Sequence, residues 1–292
     1  MGICNNRTVL ITGAGGGLGR AYALAFADAG AKVLVNDVRT EAARAVADTI
    51  NHAQPGQALA NDGDITTLAG ARGIVEAAVA AFGDVQVLVN NAGVLRDRMF
   101  LSLDEDDWDT VMRVHLRGHF CLASVLGQRW RDQKKAGQAV DARIINTSSG
   151  AGLQGSIAQS NYAAAKAGIA GLTLVQAAEL ARYGITVNSL APAARTAMTE
   201  GAMPDMVKKP AHGFDVWDPL NVASIVVWLG SSLSAHVTGK CFEARGGELG
   251  IAEGWHSGPV VDKGARWDPA ELTDVVDRLV AGGRPAQKVW GT

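Results

Sequence analysis

A chain of 292 residues with a formal charge of −2, its acids and bases mixed along the length, offers no basic face for nucleic acid and can bury a substantial core. Its three cysteines, Cys4, Cys121 and Cys241, lie apart without metal-ligand spacing, which excludes a disulfide scaffold and leaves no metal expected. No apolar run reaches membrane-spanning length, no secretory signal precedes the first strand, and Asn6 stands where myristoylation needs Ser or Thr, so a cytoplasmic protein is expected.

Residues 8–11 form a short β-branched run that breaks into Thr12-Gly13-Ala14-Gly15-Gly16-Gly17-Leu18-Gly19 before a helix over 21–29. Strand, glycine-rich turn and helix in this order suit a dinucleotide: Gly13, Gly17 and Gly19 let the backbone turn tightly, approach a pyrophosphate and pack helix onto strand. The second strand, 32–37, ends in Asp37, eighteen residues after Gly19. An aspartate there accepts hydrogen bonds from ribose hydroxyls and repels a 2′-phosphate, by roughly 4 kcal/mol for unit charges ~4 Å apart at an effective dielectric of about 20. NAD is therefore expected over NADP, with Arg39 as the group able to offset the repulsion.

A helix over about 41–51 leads to a third strand near 58–60 and then to Asp64 and Ile65. Asp64 either meets the adenine amino group or caps the helical segment beginning at Thr66, and Ile65 is placed on the adenine face. A helix over 68–82 precedes the apolar run 85–89, suited to a buried parallel strand, which ends in Asn90-Asn91-Ala92-Gly93. Small and amide residues at that end fit a backbone passing close to a cofactor. A long helix over about 105–131, a strand over 143–147, a helix over 162–182 and a strand over 185–190 complete the alternation. Six strands with helices between them predict an α/β fold, a single Rossmann-type doubly wound parallel sheet with helices on both faces. Residues 1–250 are read as one NAD-binding domain that includes the substrate site. Residues 251–292 are read as an extension with helical register at Leu272, Val275, Val276 and Leu279, packed on its own subunit or a neighbour, with Trp267 and Trp290 available to cover the site.

The chemistry concentrates between Ser148 and Lys166. Tyr162 and Lys166, four apart in a helical segment, leave the same face one turn apart. A phenol titrates near ~10, and an ammonium beside it lowers that by roughly 1–3 units, making Tyr162 a general acid/base. Ser149, thirteen residues before Tyr162, is placed to hydrogen-bond the same substrate oxygen. The Tyr/Lys spacing alone is better explained by a solvated lysine beside a half-buried tyrosine; Ser149 and the glycine-rich turn reverse that and decide for chemistry.

Thr12-Gly13-x-x-x-Gly17-x-Gly19, Asn90-Asn91-Ala92-Gly93, Ser149 and Tyr162-x-x-x-Lys166 together resemble the short-chain dehydrogenase/reductase family in order and spacing, over roughly residues 8–244. The resemblance implies hydride transfer between a nicotinamide and a secondary alcohol or ketone. It implies Tyr162 as acid/base, Lys166 on the nicotinamide ribose, Ser149 on the substrate oxygen, Asn91, Ala92, Gly93 and Pro192 along the cofactor, and Thr196 at the carboxamide. Thr196 can also cap a helix running toward Val207. A homodimer or homotetramer built partly on the long helices is implied as well. His115 departs from the family's tetrad asparagine; its imidazole can hold a water, relay a proton and carry charge near neutral pH, or simply pack with one hydrogen bond. Pro192-Ala193 departs from the more usual Pro-Gly.

Leu95-Arg96-Asp97-Arg98, Val114-His115-Leu116-Arg117-Gly118, the run from Ala191 to Thr199 and Met203-Pro204 resemble the dehydrogenase region of the peroxisomal multifunctional β-oxidation enzymes of type 2 and their bacterial relatives. That branch implies oxidation of (3R)-3-hydroxyacyl-CoA with NAD in fatty-acid or sterol side-chain degradation. On this reading Met198, Met203 and Met206 line an acyl pocket, while Arg96, Arg98, Lys208 and Lys209 are available to CoA phosphates, a solvated basic face being the alternative for each. Two other readings are carried: a hydroxysteroid or other CoA-free alcohol as substrate, and an NAD-binding regulator without turnover.

Overall fold

A computed structural model of the protein describes residues 2–202, 204–285 and 287–291. Parallel strands β1 (Thr8–Thr12), β2 (Lys32–Asn36), β3 (Ala58–Asn61), β4 (Val87–Asn90), β5 (Ala142–Thr147), β6 (Ile185–Pro192) and β7 (Cys241–Arg245) are joined on the last edge by antiparallel β8 (Glu248–Ala252) in the order β3-β2-β1-β4-β5-β6-β7-β8. The two strands beyond the expected six escaped the apolar-run criterion for a physical reason. In β7 only Phe242 and Ala244 face the core, Glu243 and Arg245 point away, and β8 is mostly exposed.

Helices α1 (Gly17–Asp28), α2 (Thr40–Ala53) and α9 (Pro219–Gly230) cover one face, where Tyr22, Phe26, Val46 and Val226 pack on Val9, Val33 and Val89. On the other face α3 (Leu68–Phe82) and α5 (Gly118–Lys135) bury Ile74, Leu122, Leu126 and Trp130 against Leu10, Leu88 and Ile144. Strands covered on both sides read as continuous apolar runs, which is why β1, β2 and β4 were visible in sequence. The strand order reverses between β1 and β4, and the crevice at their carboxyl ends is where such a sheet binds ligands.

The long helix is interrupted. α4 (Glu105–Met112), capped by Asp104 on the Asp107 N–H at 2.8 Å, passes into a π-helical turn, Arg113–Arg117, before α5. One added residue in that turn rotates His115 inward, a distortion that marks functional sites. α7 (Ser160–Leu180) starts two residues earlier than expected, and α4 and the π turn pack on it. α6 (Gly150–Gln154), α8 (Ala197–Ala202) and α10 (Leu272–Gly282) are shorter elements at the active edge and in the C-terminal extension. Among the described residues no helix is long and apolar enough to cross a membrane, and no cluster of potential metal ligands occurs.

Candidate active site

Two strand ends are tied together at the crevice. Thr12 Oγ1 accepts the N–H of Asn91 at 2.9 Å and of Ala92 at 3.0 Å, and the Asn91 amide donates to the Thr12 carbonyl at 3.0 Å. The glycine-rich turn thus rests on the end of β4. Gly13, at φ +62, lies so near that a Cβ there would stand 2.8 Å from Ala92 Cα, so backbone angle and approach both select glycine. α1 opens from Gly16 with no side chain on its first N–H groups, Leu18 packs on the core beneath and Gly19 is buried. Thr196 closes the opposite wall, its methyl 3.3 Å from where a Cβ on Gly17 would stand. Free helix N–H groups over a glycine cradle fit a pyrophosphate.

At the end of β2 the Asp37 carboxylate is buried and fully engaged. Its Oδ2 accepts from Gly15 N–H at 3.0 Å and Arg39 Nη2 at 3.2 Å, and its Oδ1 from Arg39 N–H at 3.0 Å and Nε at 3.1 Å. Burial works to raise its pKa, but the Arg39 and Gly15 donors outweigh it and hold the carboxyl below its usual value. Asp64 is exposed and turns back on Thr66, accepting from its N–H at 2.8 Å and its hydroxyl at 2.9 Å. The cap of α3 is instead Thr67, on the Gly70 N–H at 3.0 Å, because the helix begins at Leu68, the expected start, and Thr66 stays outside it. Ile65, expected on the adenine face, is buried in the core against Gly118, so its apolar side chain has a packing role.

The reacting edge is built from β5 and α7. Ser149 follows β5 as N-cap of α6, accepting the Ala151 N–H at 3.2 Å, and its hydroxyl meets the Tyr162 phenol. Lys166 is buried; its Nζ donates to the Thr147 carbonyl at 2.6 Å and stands 5.5 Å from the Tyr162 ring centroid. Burial brings Lys166 down to about 7. The expected lowering of the Tyr162 pKa is reversed: burial raises the phenol, the Ser149 hydroxyl opposes this and the Asp97 carboxylate adds to it. The reason is geometric, since the ammonium is aimed at a carbonyl and burial favours its neutral form.

His115 reaches the site from the π turn. Its Nε2 lies 2.8 Å from the Val94 carbonyl and 3.0 Å from the Val94 N–H, while Nδ1 has no hydrogen-bond partner. Burial, with the nearby Lys166 charge, lowers its pKa to about 3. Of the alternatives open for this residue, the charged imidazole is disfavoured and the neutral one fits its burial. Gly93 makes room for it: a Cβ there would sit 2.4 Å from His115 Cε1.

Sequence reasoning passed over two residues. Asn161, fully buried, accepts the Tyr162 N–H at 2.8 Å and donates to the Arg96 carbonyl at 3.0 Å, fixing the start of α7 to the segment after β4. His119, one turn beyond His115, is buried near Lys166 and is held neutral by burial and by that charge. The Asn before the tyrosine was a usable signal; His119 had none, because the π turn that aligns it with His115 is not written in apolar periodicity.

Thr196 caps α8 through a reciprocal pair with Thr199, N–H to Oγ1 at 2.8 Å and back at 3.3 Å. That helix stops at Ala202 and does not run to Val207, whose carbonyl instead accepts from Arg195 at 2.8 Å while Arg195 also pairs with Asp215. Pro192 ends β6, half-buried beside Ala244 of β7. Leu95, Asp97, Ala197, Met198 and Gly201 line an open cleft of ≈ 440 Å³. Met206 is exposed and absent from that lining, and Met203 lies outside the described residues. Arg96 and Arg98 both pair with Asp107, at 3.4 and 3.5 Å, whereas Lys208 and Lys209 are exposed. Trp290 returns to the site: its N–H donates to the Gly155 carbonyl at 3.2 Å, its carbonyl accepts from Ile157 N–H at 3.0 Å, and its indole reaches Gly150. Trp267 stays within the extension, under Lys263.

A phosphate cradle at the β1/β4 switch, beside a serine, a tyrosine and a lysine on the same edge, defines a dinucleotide-dependent dehydrogenase. The short chain dehydrogenase family model matches residues 7–206, and the chain belongs to that family. It is 42% identical to "Hydroxyacyl-CoA dehydrogenase ChsB1" of Mycobacterium tuberculosis, over 99% of this chain and 93% of that protein. It is 41% identical to mouse "Peroxisomal multifunctional enzyme type 2", over 84% of this chain but 32% of that one, so it corresponds to about a third of the mouse protein. In fold it matches a crystal structure of a short chain dehydrogenase from Mycobacterium avium with a TM-score of 0.91 and 50% identity, covering 100% of each chain. The protein is an oxidoreductase of this family, and its cofactor is a nicotinamide dinucleotide.

Proposed function

We propose that the chain oxidises (3R)-3-hydroxyacyl-CoA to 3-ketoacyl-CoA with NAD. The observation that carries the chemistry is the meeting of Ser149 and Tyr162 above a buried Lys166. Ser149 holds the substrate oxygen and Tyr162 takes the hydroxyl proton. Lys166, near 7, exchanges a proton in the physiological range, and as the neutral amine it takes on the proton that Tyr162 has accepted, so that the phenolate base is restored between turnovers. The bound nicotinamide supplies the hydride acceptor. His115 and Asn161 hold Tyr162 from two sides, one against its ring and one at its backbone.

The substrate class rests on the full-length relative named a hydroxyacyl-CoA dehydrogenase and on the cleft beside Leu95 and Met198, which offers an acyl chain apolar walls. Preference for NAD rests on Asp37 at the end of β2, where a carboxylate receives ribose hydroxyls and disfavours a 2′-phosphate. On this reading residues 1–250 carry cofactor and substrate sites and 251–292 are an extension packed on them. A homodimer or homotetramer is supported by the apolar Phe120 on α5 and Leu174 and Val175 on α7, all exposed.

The test is the initial rate of NADH formation with (3R)- and (3S)-3-hydroxyacyl-CoA, repeated with Tyr162→Phe. A (3R)-selective rate that falls by about 10²–10⁴ on substitution is expected. No rate with either isomer, in protein that binds NAD, would transfer the chemistry to a CoA-free alcohol such as a hydroxysteroid.

A further inference from the structure

The ion pair between Asp37 and Arg39 bears on how the dinucleotide enters. A carboxylate has about four lone-pair positions. At Asp37 two are taken by backbone N–H groups, of Gly15 and Arg39, and the other two by the Arg39 guanidinium through Nε and Nη2. The Asp37 side chain is 6% exposed, so its carboxylate has no second open face, while the Arg39 side chain is 68% exposed and has solvent to swing into. Its Nη2 also lies 3.5 Å from where a Cβ on Gly16 would stand, so the side chain covers the mouth of the glycine-rich turn. A ribose diol approaching Asp37 therefore meets both acceptor positions already filled.

We infer that Arg39 is a specificity-determining residue that occupies the seat of the adenosine ribose hydroxyls and must swing into solvent before a nicotinamide adenine dinucleotide can bind. This rests on Asp37 being the ribose acceptor. The swing breaks one ion pair whose cation is exposed, and the incoming ribose hydroxyls take over the buried carboxylate, so binding is weakened by a factor of about two to five. The same cation offsets the carboxylate charge that a 2′-phosphate would meet, so Arg39 also narrows the discrimination between NADH and NADPH. Asp37 alone would make the site tighter for NADH and stricter.

Dissociation constants for NADH and NADPH, read by energy transfer from tryptophan with no substrate present, test this in the wild type, Arg39→Ala, Arg39→Lys and Asp37→Asn, each checked for an unchanged melting temperature. Arg39→Ala is expected to bind NADH about two- to fivefold tighter and NADPH more weakly. Arg39→Lys, which keeps the charge without the fork, is expected to lie between on NADH and to retain NADPH. Weaker or unchanged NADH binding in Arg39→Ala would overturn the inference, the former because it would make Arg39 a contact of the bound cofactor. If Asp37→Asn alters neither constant, the ribose role of Asp37 fails and the inference falls with it.

Discussion

The imidazole of His115 meets the Tyr162 ring edge-on, with centroids 5.2 Å apart and planes at 89°. It is pinned there by Val94 on one side and by the missing side chain of Gly93 on the other. Gly93→Ala is expected to push the ring off Tyr162 and lower kcat at least about tenfold. Combining it with His115→Ala should cost less than the product of the two single effects, because the clash has gone. A double-mutant cycle on kcat checks this, and strict additivity would mean that the two residues act separately.

Because His115 is neutral down to about pH 3, its replacement by asparagine removes no titrating group. The kcat profile of His115→Asn should keep its shape between about pH 6 and 9, whatever its height. A displaced limb would show that the imidazole is protonated during turnover.

Lys166 makes stability depend on pH with a definite sign. Its folded pKa of about 7 lies below the 10.5 of an ordinary lysine, so between these the unfolded chain binds more protons and stability rises with pH. Below about 7 the burial penalty is fully present, and above the unfolded value it is gone. Lys166→Met should therefore abolish turnover yet raise Tm, with a larger gain at about pH 6 than at about pH 10. Calorimetry of both proteins at the two pH values decides; an equal gain at both would place a charged lysine in the fold.

The loop at 155–159 is held from two sides, by the Arg98 N–H on the Ala158 carbonyl at 2.8 Å and by the Trp290 pairing. Removing residues 287–292 should speed amide exchange at Ile157 and raise KM for the acyl substrate severalfold, leaving the NADH dissociation constant unchanged. Mass spectrometry of the exchanged peptide and a kcat/KM split check it. A loss of cofactor affinity would mean that the extension supports the whole domain.

Much of this was legible from residues alone. Val9, Val33 and Val89 sit in strands buried on both faces, so apolar runs marked them, and Tyr162 and Lys166 follow from helical spacing. What was hidden depends on contacts distant in sequence or on turns without periodicity. The π turn at Arg113–Arg117, which aims His115, leaves no signature in hydrophobic pattern. The direction of the Tyr162 pKa needed to know that Lys166 points at Thr147. Asp64 could not be separated from Thr67 as a cap because both are good capping types. The place of Trp290 depends on a return across more than a hundred residues to Ser156.

That return sets an order of assembly. The phosphate cradle draws on residues 12–19 and 91–93, and its sheet is complete by Ala252, whereas the pairing beside Ser156 waits for residues 289–291. During synthesis the half that holds nucleotide can form while the frame of the substrate loop is still unmade, since domains fold as the chain emerges. A newly made chain thus holds every residue of its nucleotide cradle before it holds those that bound the substrate loop.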